Sequence, residues 1–282
     1  MFAKVFLEIT DVCNLSCSFC PPTRRPAKFM ALEEFSFLLD RLEGRVGRLY
    51  FHVKGEPLLH PELEGLLRIA GEKGFEVSIT TNGSLLDRAG HVLLGARALK
   101  KLSVSLHSQA DGSEVGDYWR GVEGFLDLHR EEPRFPVSLR LWNLRDGRLP
   151  EGCAPLWERL RVRYPLVGAW GSPGSWPMDN RLDTMVFLNA DEEFAWPDPA
   201  LPEGSDRGTC LGLRKQIAVL VDGRVLPCCL DGEGRLALGN LFERELDAIL
   251  AGRRAREIRE GFERGRLVEG LCRTCGYRRR FE

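Results

Sequence analysis

Between Lys4 and Arg163 the chain alternates short β-branched or aromatic runs with amphipathic helical stretches, a pattern that few folds satisfy. Lys4 to Thr10, Arg48 to Val53, Phe75 to Thr80, Lys101 to Leu106 and Pro136 to Trp142 read as strands. Ala31 to Leu42, Pro61 to Lys73, Leu85 to Leu94, Gly121 to Arg130 and Cys153 to Arg163 read as helices, with apolar residues three and four apart. Such a β/α series makes a parallel sheet with right-handed crossovers. Residues just after each strand then collect at one edge, where functional groups are expected.

The periodicity fails from Tyr164 to Thr209, where Trp170, Trp176 and Trp196 are scattered among Pro and Gly. Tryptophans argue against a solvated linker, so this stretch reads as a connection covering a substrate, with Met185 to Leu188 as a sixth strand. Gln216 to Val221 and Arg224 to Pro227 flank Asp222-Gly223, a strong hairpin signal. A helix over Glu243 to Glu260 leads to Cys272 and Cys275. There is no internal repeat.

Hydrophobic content of 43% and charged content of 29% over 282 residues are ordinary for a chain that folds. A formal net charge of -1 gives no global attraction to nucleic acid or an anionic membrane, and Arg278 to Arg280 read as a solvated basic end. No apolar run is long enough to span a bilayer, and Met1 to Thr10 lacks the apolar region and cleavage site of a secretory signal. The expected location is cytoplasmic, a reducing compartment. Nine cysteines there point to metal ligation rather than to a disulfide framework.

Cys13, Cys17 and Cys20 follow the first strand in the string C-N-L-S-C-S-F-C. Three thiolates ligate three irons of a cubane and leave the fourth iron open to bind another molecule. A structural zinc site wants four ligands, and no His or fourth Cys follows nearby; His52 and His60 belong to the next β/α unit. The spacing, with Phe19 before the last cysteine, resembles the radical SAM signature. That resemblance implies a partial (β/α)6 TIM-like barrel. It also implies a [4Fe–4S] cluster whose open iron chelates the amino and carboxylate groups of S-adenosylmethionine, and reductive cleavage to a 5′-deoxyadenosyl radical.

Four later positions fit the same family. Gly55-Glu56-Pro57 looks like the Gly-Gly-Glu-Pro element that binds the methionyl amino group, with Lys54 replacing the first glycine. Thr80-Thr81-Asn82-Gly83 resembles the family's Thr-Asn-Gly segment; alone it is a turn. Ser105 and His107 stand where the family often has Ser-x-Asp-Gly, so His107 departs from the pattern. Arg140 is a candidate partner for the cofactor carboxylate through its planar fork. The expected cofactor contacts are therefore Phe19, Gly55, Glu56, Pro57, Thr81, Asn82, Ser105 and Arg140.

Cys210 and Cys228 lie in a C-x12-G-x4-C string around Gly223, ahead of the distant C-x2-C of Cys272 and Cys275. Four thiolates saturate one cubane or one zinc ion, and spacing alone does not separate them. In this context the string resembles the SPASM/twitch appendage of radical SAM enzymes. A full SPASM domain has seven cysteines and two clusters, whereas this segment has five cysteines and room for one auxiliary [4Fe–4S] cluster. It is similar to the single-cluster appendage of the butirosin inosamine dehydrogenase type. Cys229 is a spare that can exchange with Cys228 as ligand, and Cys153 reads as core.

Residues 1-205 are expected to form the radical SAM partial barrel and residues 206-282 a small β-hairpin-plus-helix iron–sulfur domain. The resemblance implies hydrogen-atom abstraction from an unknown substrate, small molecule or peptide. The auxiliary cluster would assist electron transfer in a dehydrogenation or related oxidation, and a flavodoxin or ferredoxin would donate electrons. No catalytic base is identified; Asp191, Glu192 and Glu193 qualify only by location. Modification of a ribosomal peptide is the alternative reaction. A non-catalytic iron–sulfur electron carrier or zinc-stabilised adaptor is the alternative of another class.

Overall fold

Strands buried on both faces need continuous apolar runs, and the first strand shows this directly: Val5, Phe6 and Leu7 are all buried. The computed structural model describes residues 2–109, 115–165, 180–202 and 204–281. Trp170 and Trp176 lie outside the described residues. The strands are β1 (Lys4–Leu7), β2 (Arg48–Phe51), β3 (Glu76–Thr81), β4 (Leu99–Ser105), β5 (Val137–Leu144), β6 (Arg181–Asp183), β7 (Val186–Glu192), β8 (Gln216–Val219), β9 (Arg224–Leu226) and β10 (Gly239–Asn240). The helices are α1 (Leu32–Leu42), α2 (Leu63–Glu72), α3 (Leu86–Gly95), α4 (Val115–Glu131), α5 (Ala154–Arg163), α6 (Leu246–Leu250), α7 (Arg253–Glu263) and α8 (Gly270–Thr274).

The chain forms two compact units, Met1–Val77 with Phe194–Glu282, and Ser78–Glu193. In the first, strand order is β10-β9-β8-β1-β2. β1 pairs in parallel with both β2 and β8, with Val5 opposite Leu49 on one side and Ile217 on the other. The hairpin expected around Asp222-Gly223 is present as β8 and β9, antiparallel, and Gly223 adopts the positive φ that its turn needs. In the second unit the order is β4-β5-β7-β6, with β4, β5 and β7 parallel. β3 runs through the boundary between the units. This is the α/β architecture built on parallel strands that the alternation predicts.

Three elements differ from expectation. The helix expected over Glu243 to Glu260 is two helices, α6 and α7, because Gly252 caps α7 in an extended conformation that interrupts the helical run. α4 extends N-terminally to Val115; Gly116, Gly121 and Gly124 weaken its propensity, while buried Trp119, Val122, Phe125 and Leu126 hold it by packing. β6 is a three-residue antiparallel edge strand beside β7, too short to show a period. Among the described residues no helix is long and apolar enough to cross a membrane.

Candidate metal centres and cofactor site

The cysteine triad sits on a loop that leaves β1 and closes on itself. Thr10 pairs with Phe29, the Met30 amide donates to the Ile9 carbonyl at 2.9 Å, and the Lys28 amide donates to Asp11 Oδ1 at 2.8 Å. Within it the Cys20 amide donates to the Cys17 carbonyl at 3.0 Å, a turn that carries Phe19. Cys13 is exposed, and Cys17 and Cys20 are half-buried.

Gly55-Glu56-Pro57 packs against the start of this loop. The Glu56 amide donates to the Val12 carbonyl at 2.8 Å, and the buried Glu56 carboxylate accepts the Leu58 amide at 3.0 Å, capping a short 3-10 turn that Pro57 begins. Gly55 has φ +75°, and a Cβ there would stand 2.3 Å from the Thr10 carbonyl oxygen. Only glycine allows both the backbone conformation and that approach. Lys54, the departure from the family pattern, is buried, and its ammonium donates to Cys20 Sγ at 3.4 Å and to the Pro21 carbonyl.

Sequence reasoning missed Glu8. Its fully buried carboxylate accepts Arg25 Nη2 at 2.7 Å and the Lys54 amide at 3.1 Å through Oε1. Through Oε2 it accepts Arg25 Nη1 at 2.8 Å and the Val221 amide at 3.1 Å. Burial raises the carboxyl above its ordinary range, and the Arg25 bonds oppose that rise. The available signal was a charge inside K-V-F-L-E-I-T, where a strand buried on both faces tolerates one only if it is paired.

In the Ser78–Glu193 unit, Thr81 and Asn82 close the turn after β3: Thr81 Oγ1 accepts the Gly83 amide at 3.0 Å and Asn82 Oδ1 the Ser84 amide at 2.9 Å. Ser105 ends β4, its carbonyl accepting Ser108 Oγ at 2.7 Å. Arg140 on β5 lays its guanidinium 3.5 Å from the centre of the Trp142 ring, and Trp142 donates through Nε1 to Asn189 Oδ1 at 2.6 Å. Glu192 and Glu193 engage the Gly147 amide and Arg145 at the surface, and Asp191 Oδ1 accepts the Glu192 amide at 2.8 Å.

His107 Nδ1 lies 3.0 Å from the Arg140 carbonyl, and burial pulls its imidazole down to about 4; the Arg140 carbonyl opposes that and the Arg140 charge adds to it. His107 is therefore neutral at pH 7. A depressed folded value gives stability that is present above the ordinary 6.5 and lost as pH falls through about 4. Replacing His107 by Gln is expected to remove roughly 3 kcal/mol of the stability difference between those limits, read by denaturant titrations at stepped pH. An unchanged pH slope would contradict a neutral buried imidazole.

The second cysteine set converges. Cys210, Cys228, Cys229, Cys272 and Cys275 line one cavity with Arg278. Burial raises all five thiols, Cys229 and Cys272 to about 12, and neighbouring cysteine sulfurs add to the rise at Cys228, Cys229, Cys272 and Cys275. Crowded, buried sulfurs of this kind suit a positively charged metal group that offsets their mutual repulsion. Cys229 also packs against an apolar cluster of Phe6, Val53, Ala218, Leu220 and Leu226, the environment of a core residue. Cys153 is buried in the other unit, with Asn143 Nδ2 3.2 Å from its sulfur. Among the described residues no three His, Cys, Asp or Glu converge closely enough to hold a metal ion. Cubane ligands each bind a different iron atom, so they need less convergence.

Residues 7–123 match the family described as the Radical SAM superfamily, and residues 210–276 match SPASM, an iron–sulfur cluster-binding domain. The chain is 33% identical over 156 residues to Fe-coproporphyrin III synthase of Methanosarcina barkeri, across 50% of this chain and 38% of that protein. It therefore spans well under half the length of that curated relative. Among solved structures, BtrN in complex with AdoMet and 2-DOIA matches with TM-score 0.57 at 17% identity, over 98% of this chain and 93% of that one. SuiB of Streptococcus suis bound to precursor peptide SuiA matches with TM-score 0.59 at 15% identity, over 98% and 70%. These likenesses establish the fold, a partial TIM-like barrel. The two domains imply a [4Fe–4S] cluster with S-adenosylmethionine, and an auxiliary iron–sulfur cluster. The chain thus carries a radical SAM domain over residues 7–123, followed by a SPASM domain over residues 210–276.

Proposed function

We propose that this chain is a radical SAM enzyme of the dehydrogenating or otherwise oxidative kind, with residues 206–282 as its auxiliary iron–sulfur module. Cys13, Cys17 and Cys20 would hold the first cluster, and Cys210, Cys228, Cys272 and Cys275 the second. When bound, the first supplies reductive cleavage of S-adenosylmethionine to a hydrogen-abstracting 5′-deoxyadenosyl radical, and the second supplies an electron acceptor. The observation that carries this reading is the closed triad loop seated on Gly55 and Glu56.

The protein's own groups bind and orient. Glu56 is assigned to the cofactor ammonium, its carboxylate fixed by the Leu58 amide. Gly55 and Pro57 set the backbone around it, and Phe19 shapes the triad loop. Thr81, Asn82, Ser105 and Arg140 are the further assigned cofactor contacts, with Arg140 held in orientation by the Trp142 ring. Trp196 and its connection are assigned to the substrate side. BtrN is solved in complex with 2-DOIA and SuiB bound to a precursor peptide, and the substrate proposed for this chain is a small molecule or a peptide. A flavodoxin or ferredoxin is the proposed donor.

Anaerobic reconstitution with iron and sulfide, followed by dithionite and S-adenosylmethionine, is expected to yield 5′-deoxyadenosine and methionine by mass spectrometry. A fully loaded protein that forms neither would be an electron carrier. A colourless protein with zinc at the triad would be an adaptor.

A further inference from the structure

Lys54 replaces a glycine of the family pattern, and contacts from separate stretches of the chain fix its position. Only 7% of the residue is exposed. Its amide donates to Glu8, and its stem runs past Gly232, where a Cβ would stand 2.7 Å from Lys54 Cε. Its Nζ lies 4.7 Å from the centre of the Trp196 ring and donates to the Pro21 carbonyl and to Cys20 Sγ, the latter at 3.4 Å. A buried ammonium is costly unless it is paired, and the carbonyl and the ring are neutral. The partner that can carry the opposite charge is the sulfur of Cys20.

We propose that Lys54 is a positioning residue that donates a charge-assisted N–H···S bond to the Cys20 thiolate and thereby raises the reduction potential of the first cluster. The proposal rests on the reading that Cys20 is a cluster ligand. Net charge and hydrogen bonds to the sulfurs set the potentials of such clusters. A cation fixed at a ligand sulfur favours the form that carries one more electron, and in a buried site water and salt screen it little. The consequence is a first cluster that accepts electrons from a weaker reductant than the same loop with glycine at this position would require.

The test is an EPR-monitored redox titration of the reconstituted protein. The first cluster is identified by the change in its signal on adding S-adenosylmethionine, and the auxiliary cluster serves as internal reference. In Lys54→Met the ratio of reduced to oxidised first cluster at a fixed potential is expected to fall about tenfold, a downward shift of about 59 mV for a one-electron couple. Lys54→Arg, which keeps the charge, is expected to restore most of that shift, with the auxiliary midpoint unchanged throughout. A first-cluster midpoint in Lys54→Met equal to that of the parent overturns the proposal. If Lys54→Met does not retain the cluster, Gly232→Ala, which displaces the ammonium without removing it, is titrated instead. A downward shift supports the proposal and an unchanged midpoint overturns it. Failure of the parent protein to load iron at the triad would instead remove the reading on which the proposal stands.

Discussion

Cys17→Ala is expected to abolish formation of 5′-deoxyadenosine and to lower iron content by about four atoms, one cluster's worth. The loop itself should survive the change. Its turn is made by the Cys20 amide and the Cys17 carbonyl, and its base by Thr10, Lys28 and Met30, none of which needs the Cys17 thiol. What disappears is one of only three thiolates, and two do not hold a cubane with an accessible iron. Cys272→Ala makes the contrast, because it removes one of the sulfurs lining the cavity proposed for the auxiliary cluster. That variant should lose a similar amount of iron while some uncoupled cleavage persists. Iron and sulfide assays beside mass spectrometry of the nucleoside separate the two. Equal loss of all cleavage in both variants would make the second site a structural prop.

The elements legible in the sequence are those whose packing is encoded locally. α1 buries Phe35, Leu38, Leu39 and Leu42, a spacing of three, one and three that shows on any helical projection. β1 is read from its unbroken apolar run. Hidden from such reading is the neighbour on the far side of β1, since β8 follows more than two hundred residues later and no local period encodes the pairing. Gly252 illustrates the opposite failure: one residue cut an amphipathic run that was correct on both sides of it.

The site divides in the same way. Both cysteine sets stand out in the sequence because spacing is a local property of loops. Their surroundings do not, because Lys54 meets Cys20, Trp196 and Gly232 only through the fold. From the sequence, Lys54 is a departure from a family pattern; in the structure it is a buried cation beside the Cys20 sulfur. Thr81 and Asn82 show that a turn reading and a site reading need not compete, since their side chains close the turn that positions them.

Glu8→Gln is expected to cost 3–5 kcal/mol of global stability, about the range for breaking a buried ion pair. The change is nearly isosteric, so the loss would come from hydrogen-bond polarity and charge. Each Glu8 oxygen accepts from two donors, Arg25 Nη2 and the Lys54 amide on one side, Arg25 Nη1 and the Val221 amide on the other. Glutamine must place its NH2 against one of those pairs, so either orientation sets donors against donors. Arg25, 8% exposed in its side chain, would then keep Asp11 at 3.6 Å and the more remote charge of Asp222. Denaturant unfolding measures the cost. In a cycle with Arg25→Met, the double variant should be less destabilised than the sum of the single ones, because the methionine removes the charge that Gln leaves stranded. The carboxylate joins the triad loop, the loop that follows β2 and the turn that follows β8. Its loss should therefore also release the Cys20 region to proteolysis before global unfolding. A Glu8→Gln protein within 1 kcal/mol of the parent, on the scale of about 1 kcal/mol for an ordinary hydrogen bond, would show that the four bonds do not act together.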